Sequence, residues 1–261
     1  MAGHAHVRCD ECGTVFVTPL PELGVVQATY LQPDYHETAD ASGPRMRAEA
    51  AARIDTLHAM GARRIVEVGC GPGHFLDAAR ERGLHIEGVD PARTAAVAAA
   101  RGHRVHALFL EDFVPDAPFD ALALWEVLEH LPWPADALQR MRTWLAPGGV
   151  VALSTPSMSG IPARVLGARF PMVSPPDHLE LFSREGLARL LDRAGLQVLR
   201  WTSFSNLDAA PIARGLRRYV FGDTAWAAPI VDGLARIGQV PARWMDTAGF
   251  GTSFEVYARL R

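Results

Sequence analysis

Three glycines at alternate positions, Gly69, Gly71 and Gly73, follow a short β-branched run that carries one acid, Ile65-Val66-Glu67-Val68. Such a run reads as a buried parallel strand turning sharply into a helix, and the glycines leave no Cβ in the way of a ligand lying against the main chain. Asp90 stands at the end of the next apolar stretch, Leu84-His85-Ile86-Glu87-Gly88-Val89. A carboxylate at a strand's carboxyl end is placed to accept both hydroxyls of a ribose, in charge-assisted hydrogen bonds worth roughly 1.5–3 kcal/mol each. Together these residues outline a nucleoside pocket. A third group, Glu126-Val127-Leu128-Glu129-His130, follows the strand-like Phe119-Asp120-Ala121-Leu122-Ala123-Leu124-Trp125. Neutral imidazole is the side chain whose unperturbed pKa suits proton removal near neutrality, so His130 is a candidate base. The competing reading has Glu129 and His130 bonding loop backbone.

Spacing separates the ligand classes. A dinucleotide fingerprint needs its third glycine one step later, so that a helix N-terminus can receive a pyrophosphate, and here that position is His74. The order Glu67-x-Gly69-x-Gly71-x-Gly73 resembles motif I of the class I S-adenosylmethionine-dependent methyltransferases. The Glu-x-x-Glu-His run after Trp125, and the Leu145-x-Pro147-Gly148-Gly149 turn, are similar to further hallmarks of the small-molecule and quinone-type branch of that family. The resemblance implies a Rossmann-like seven-stranded α/β sheet with helices on both faces and an antiparallel last strand. It also implies S-adenosylmethionine as cofactor, held by Glu67, Gly69, Cys70, Gly71, Gly73, Asp90, Pro91, Phe109, Leu110, Glu111, Trp125 and Glu126. Phe109 or Leu110 would pack on the adenine, and Glu111 or Asp112 would take its exocyclic amine. His178 matches a position where many relatives turn a histidine into the pocket, which makes it a second candidate catalytic residue beside His130. Its competing reading is a hydrogen bond within the loop.

The elements that must position these groups are legible along the chain. Arg45 to Met60 has Met46, Ala50, Ile54 and Leu57 at helical spacing and ends at Gly61. Crossover helices are expected over Phe75 to Arg82, Arg93 to Arg101 and Asp136 to Leu145. Ser183 caps a helix over Arg184 to Ala194, and Gly195 stops it. Strands at Leu196 to Thr202 and Ser253 to Leu260 would close the sheet. Four parts follow: 1–44, 45–202 as the methyltransferase core, 203–252 as a helical insertion, and 253–261 as the last strand. The insertion carries Ile212, Leu216, Tyr219 and Val220, then Ile230, Leu234, Ile237 and Val240, at amphipathic spacing, and reads as a lid or a homodimer face. The Pro- and Gly-rich stretch from Met158 to Pro176 reads as an acceptor wall. Tyr30 and Tyr35 lie in a segment that folds over the cofactor mouth in the resembling family; surface packing on the first helix is the alternative.

Cys9-Asp10-Glu11-Cys12-Gly13 is a C-x-x-C knuckle similar to the second half of a small zinc ribbon. Cys9 and Cys12 supply two of the four ligands a structural zinc wants, which His4 and His6 could complete. The alternative is a hairpin without metal. A net charge of -3 argues against a general nucleic-acid surface, which needs a basic stripe. No apolar run approaches ~18 residues, and Met1 to Arg8 lacks a signal-peptide pattern, so the expectation is a cytoplasmic enzyme with a small-molecule acceptor. O-methylation of a moderately apolar, natural-product-like metabolite is the first reading. N- or C-methylation, including on a sugar, a nicotinamide-dependent oxidoreductase and a non-catalytic S-adenosylmethionine-binding module are the alternatives.

Overall fold

A computed structural model describes residues 4–32, 43–170, 172–173, 177–205, 229 and 244–261. Two strands, β1 (Ala5–Arg8) and β2 (Val15–Thr18), open the chain as an antiparallel hairpin. Helices α1 (Leu23–Tyr30) and α2 (Gly43–Ala59) follow. The core alternates β3 (Arg64–Val68), α3 (His74–Glu81), β4 (His85–Val89), α4 (Ala95–Ala100), β5 (Arg104–His106), β6 (Phe119–Trp125), α5 (Pro134–Arg142) and β7 (Leu145–Pro156). The rest comprises α6 (Ile161–Leu166), the two-residue strand β8 (Glu180–Leu181), α7 (Arg184–Arg193), β9 (Leu196–Phe204) and β10 (Ser253–Leu260).

Seven strands form one sheet in the order β5-β4-β3-β6-β7-β10-β9, with β10 antiparallel to both its neighbours and the other pairings parallel. This is the expected Rossmann-like α/β sheet. The apolar runs Ile65-Val66 and Ala121 to Leu124 are buried on both faces, as central parallel strands must be. One face packs Ile54 and Leu57 of α2 with Phe75 and Ala79 of α3; the other packs Leu138 and Met141 of α5 with Leu187 and Leu191 of α7. The chain leaves β3 toward β4 on one side and returns to β6 on the other. The resulting switch point opens a crevice at the strands' carboxyl ends, where ligands bind in open α/β sheets.

A second sheet, β1-β2-β8, comes from pairing the N-terminal hairpin with the segment before α7. Local pattern does not announce it, because β8 is two residues long. The Pro147-Gly148-Gly149 turn lies within a continuous strand: Gly148 takes φ +74° and β7 runs from Leu145 on, with a register irregularity opposite Phe119 and Ala121. The amphipathic repeats of the insertion, from Ile212 to Val240, lie outside the described residues, as does Tyr35. Among the described residues no helix is long and apolar enough to cross a membrane.

Candidate active site

A cavity of about 530 Å³ occupies the switch point, within the range of small-molecule sites. The turn that floors it is built by backbone. Gly69, Gly71 and Gly73 have φ of +73°, +47° and +87°, values that glycine adopts without steric cost. The Gly69 N–H donates to the Val89 carbonyl at 2.8 Å, tying the turn to β4. A Cβ on Gly69 would stand 2.5 Å from Val127 Cγ2, so motif I and the loop after β6 interlock. At Gly71 a Cβ would meet no atom within 4 Å, and the residue lines the cavity.

Asp90 is buried in the same wall. Its Oδ2 accepts the Gly71 N–H at 2.7 Å and its Oδ1 accepts the Ala92 N–H at 2.8 Å. A carboxylate oxygen can accept more than one hydrogen bond. Pro91, Phe109, Leu110 and Glu111 continue the wall, with Leu110 buried. Glu67, Cys70, Trp125, Glu126, His130 and His178 also line it, so one crevice collects nearly the whole expected set. Gly73 is the member outside the wall. Its Cβ would meet Ala98 Cβ at 2.6 Å, which makes it a packing glycine between α3 and α4.

Glu126 has φ +54°, the left-handed region that a non-glycine residue occupies at a cost of order 1–3 kcal/mol. Its N–H is held by Ser154, with the carbonyl at 3.0 Å and the hydroxyl at 3.1 Å. The cavity is rich in buried acid. Glu67 Oε2, Glu126 Oε1 and Glu129 Oε1 are buried without a hydrogen-bond partner. Burial, then the Asp90 charge, pushes the Glu67 carboxyl well above the usual range, and burial also raises Glu126. The Arg53 guanidinium opposes both shifts. It lies 4.1 Å over the Trp125 ring and is paired to Glu255 at 2.9 Å. A ligand with cationic groups satisfies such a wall, because buried acceptors without partners cost about 1–3 kcal/mol each. S-adenosylmethionine, with a sulfonium and an ammonium beside its ribose, fits these residues.

On the far side of the cavity two imidazoles face each other, with ring centroids 4.8 Å apart. His130 Nδ1 lies 2.7 Å from the Asp177 carbonyl and His178 Nδ1 lies 2.6 Å from that of Met172. A carbonyl only accepts, so in both rings Nδ1 carries hydrogen and Nε2 is the basic nitrogen of the neutral form. Burial pushes the His130 imidazole down, but the Asp177 carboxylate, 3.4 Å away, and Glu129 outweigh it and raise its pKa to about 9. Burial, then Glu126, raises Glu129 to about 8. Thr155 Oγ1 donates to Glu129 Oε2 at 3.0 Å. Tyr30 closes this side: its hydroxyl donates to the His130 carbonyl at 3.0 Å and its ring stands edge-on to the imidazole.

Two groups of side chains bear on a metal. Glu129, His130 and His178 offer ligand atoms that all lie within 4.8 Å of one another, so this corner has the donors to hold a divalent cation. At the N-terminal hairpin, Cys9 and Cys12 are free thiols. Among the described residues no third His, Cys, Asp or Glu completes a ligand set with them. His4 bonds the Pro19 carbonyl, and neither His4 nor His6 joins Cys9 and Cys12 in a ligand set, so the completion expected from the sequence does not form among the described residues. Two thiols alone do not fit a structural zinc.

Two residues of the site, Arg53 and Asp177, carry no local signature in the sequence, and Arg53 meets Glu255 across 202 residues of chain. Tyr30, expected over the cofactor mouth or packed on the first helix, meets His130 across 100 residues and lines the cavity.

Comparison with known proteins agrees with this geometry. A methyltransferase domain family model matches residues 36–200, more than half of the chain. The ubiquinone biosynthesis O-methyltransferase of Aeromonas salmonicida is 29% identical over 170 residues, covering 58% of this chain and 68% of that protein. The protein of the same name from Alkalilimnicola ehrlichii is 37% identical over 106 residues, 36% of this chain and 41% of its own. Most of the curated relatives are thus matched over about half their length or less. Among solved structures, a SAM-dependent methyltransferase from Archaeoglobus fulgidus aligns with a TM-score of 0.57 at 17% identity, over 82% of this chain and 94% of its own. The N-methyltransferase NodS from Bradyrhizobium japonicum aligns with a TM-score of 0.52 at 16% identity, over 91% and 97%. At such identities the structures show the shared fold. The family match, the seven-stranded sheet and the glycine turn beside Asp90 together place this chain in the S-adenosylmethionine-dependent methyltransferase family.

Proposed function

We propose that the protein methylates a hydroxyl, most readily a phenol, of a moderately apolar small molecule. The observation that carries this reading is the pair of imidazoles beside Asp177 and Glu129 at the far wall of the cavity. An amine acceptor is nucleophilic once neutral, whereas a hydroxyl must lose its proton as the new bond forms, and this wall holds groups able to take it. A base with pKa about 9 is matched to a phenol, whose own pKa is near 10, so the proton moves with little cost. The O-methyltransferase relatives support the same acceptor atom.

When bound, S-adenosylmethionine supplies an electrophilic methyl group on a positively charged sulfur. We assign Asp90 to the ribose, Phe109, Leu110 and Glu111 to the adenine, and Glu67, Cys70, Trp125 and Glu126 to the methionine end, with Gly69, Gly71 and Pro91 shaping the backbone against it. The acceptor hydroxyl lies toward His130 Nε2, His178 and Tyr30, with Leu131 and Pro132 as apolar wall. Positioning of nucleophile and methyl contributes about 7–11 kcal/mol, and the base about 10²–10⁴ in rate. Residues 45–202, with β10, form the catalytic core in this assignment.

A second reading keeps the acceptor and changes the activator. The Glu129, His130 and His178 donors would hold a divalent cation that binds the acceptor oxygen and lowers its pKa. The deciding experiment incubates the protein with methyl-labelled S-adenosylmethionine and panels of phenols, catechols, aliphatic alcohols and amines, with chelator or with divalent cations. Products methylated on oxygen support the proposal, and cation dependence selects the second reading. Transfer confined to nitrogen or carbon would overturn both.

A further inference from the structure

We propose that Cys9 and Cys12 are a dithiol modification site, oxidised by a low-molecular-weight disulfide, and that closing their disulfide loosens the acceptor-side segment 177–183. Cys9 and Cys12 flank the tight turn of the β1–β2 hairpin, where the Gly13 N–H donates to the Cys9 carbonyl at 2.9 Å and the Cys9 N–H to that of Thr14 at 2.8 Å. A turn of this length brings its end Cα atoms within about 7 Å, the separation that a disulfide spans. Both thiols are free and partly exposed. The Cys12 and Glu11 backbone N–H groups and the Cys12 thiol hydrogen-bond the Cys9 sulfur and hold its pKa below the ordinary thiol value. Thiolate is the attacking form in exchange. Arg8 lies at the Gly13 turn, while Arg189, near Cys12, is paired to Glu185 at 2.6 Å and to Glu11 at 3.4 Å, so the dithiol stands among charges of both signs and a small disulfide such as oxidised glutathione serves as the probe.

The turn is clamped to the acceptor side of the active site. The Ser183 hydroxyl donates to the Cys12 carbonyl while its oxygen accepts the Gly186 N–H at 2.8 Å as the cap of α7. The Val17 N–H donates to the Leu179 carbonyl at 2.9 Å, and Val15 and Phe16 pair with Leu181 and Glu180. No slack exists at this contact: a Cβ on Gly186 would lie within 2 Å of Thr14 Oγ1 and 3.3 Å from Cys12 Sγ. Drawing the two sulfurs to the bonded distance of about 2.05 Å re-aims the Cys12 carbonyl and so withdraws the acceptor of Ser183.

The chemistry balances. Cys9 thiolate attacks one sulfur of the small disulfide and releases one small thiolate, leaving a mixed disulfide. Cys12 thiolate attacks the Cys9 sulfur, displaces the second small thiolate and closes the protein disulfide. Two electrons pass from the protein dithiol to the small disulfide, and the proton of each protein thiol ends on a released thiol.

The test equilibrates the full chain in graded ratios of oxidised to reduced glutathione, then maps thiols by alkylation and mass spectrometry and follows hydrogen exchange peptide by peptide. Neither readout needs turnover, so failure here and failure of the O-methylation reading are distinct. The expected result is one disulfide between Cys9 and Cys12, buried Cys70 still reduced, and exchange in 177–183 faster by about tenfold while the motif I peptide is unchanged. Cys12→Ser should stop at a single glutathione adduct on Cys9. Independent alkylation of Cys9 and Cys12 at every ratio overturns the proposal, as does a disulfide that leaves exchange in 177–183 unaltered.

Discussion

Asp90 Oδ2 accepts the N–H of Gly71 at 2.7 Å, so the carboxylate assigned to the ribose also pins the glycine turn. The second oxygen pins Ala92 on the opposite lip. One side chain therefore shapes the pocket's mouth at the place assigned to the ribose. Asp90→Asn keeps the volume but turns one acceptor into a donor that faces a backbone N–H. It should lower stability by about 1–3 kcal/mol, a fall in melting temperature on the order of 2–12 °C for a chain of this size. Calorimetric unfolding of the two proteins measures this, and an unchanged melting temperature would remove the pinning role.

Gly71 and Gly73 should respond differently to the same substitution. A Cβ at Gly71 enters open space in the cavity wall, so Gly71→Ala is expected to fold, with about 1–2 kcal/mol of left-handed strain, and to lose S-adenosylhomocysteine affinity. A Cβ at Gly73 strikes Ala98, so Gly73→Ala should lose more stability. Urea unfolding and binding titrations on the two variants separate the roles; equal loss of binding with equal stability would contradict them.

In chelator-treated buffer, kcat/KM for a phenolic acceptor should rise with pH through about 8–9, because His130 and Glu129 are both raised and the base must shed its proton to act. Asp177 is one of the groups that hold His130 up, so Asp177→Asn should move the rise to lower pH. A profile that is flat from pH 7 to 10 would remove the base.

Glu87 anchors the far ends of β3, β4 and β5 away from the site. Burial raises its carboxyl, but His106, His85, Arg104 and Arg64 outweigh that and hold it below the usual value. The Arg64 contact is 2.8 Å and the His106 contact 2.9 Å. A depressed folded-state pKa contributes stability above the unfolded value, near 4.3, that is lost as pH falls through the folded value. Glu87→Gln should cost about 1–3 kcal/mol at pH 7 and progressively less below about pH 4. A cost that does not change with pH would contradict the charge argument.

The parts of the site legible in the chain are those whose signal is local. The buried run before Gly69, the carboxylate closing β4 and the Glu-x-x-Glu-His run after β6 each sit within about ten residues, where period and spacing constrain geometry directly. Gly73 shows the limit. Its spacing matches that of Gly71, yet one opens on the cavity and the other on Ala98, and only the placement of α4 distinguishes them. Tyr30, Arg53 and Asp177 reach the site through tertiary contacts. The pairing of β2 with β8 joins Val15 to Leu181. A two-residue strand has too few side chains to show alternation, so its partner decides that it exists.

The central claim is that this cavity holds the adenosyl cofactor through Asp90, and titration calorimetry with S-adenosylhomocysteine tests it most directly. The wild-type protein should bind with micromolar affinity, and Asp90→Ala should bind at least about tenfold more weakly, the loss of one charge-assisted hydrogen bond. Equal affinities would contradict the ribose assignment. An absence of binding to wild-type protein that is shown to be folded would contradict the account of the pocket itself.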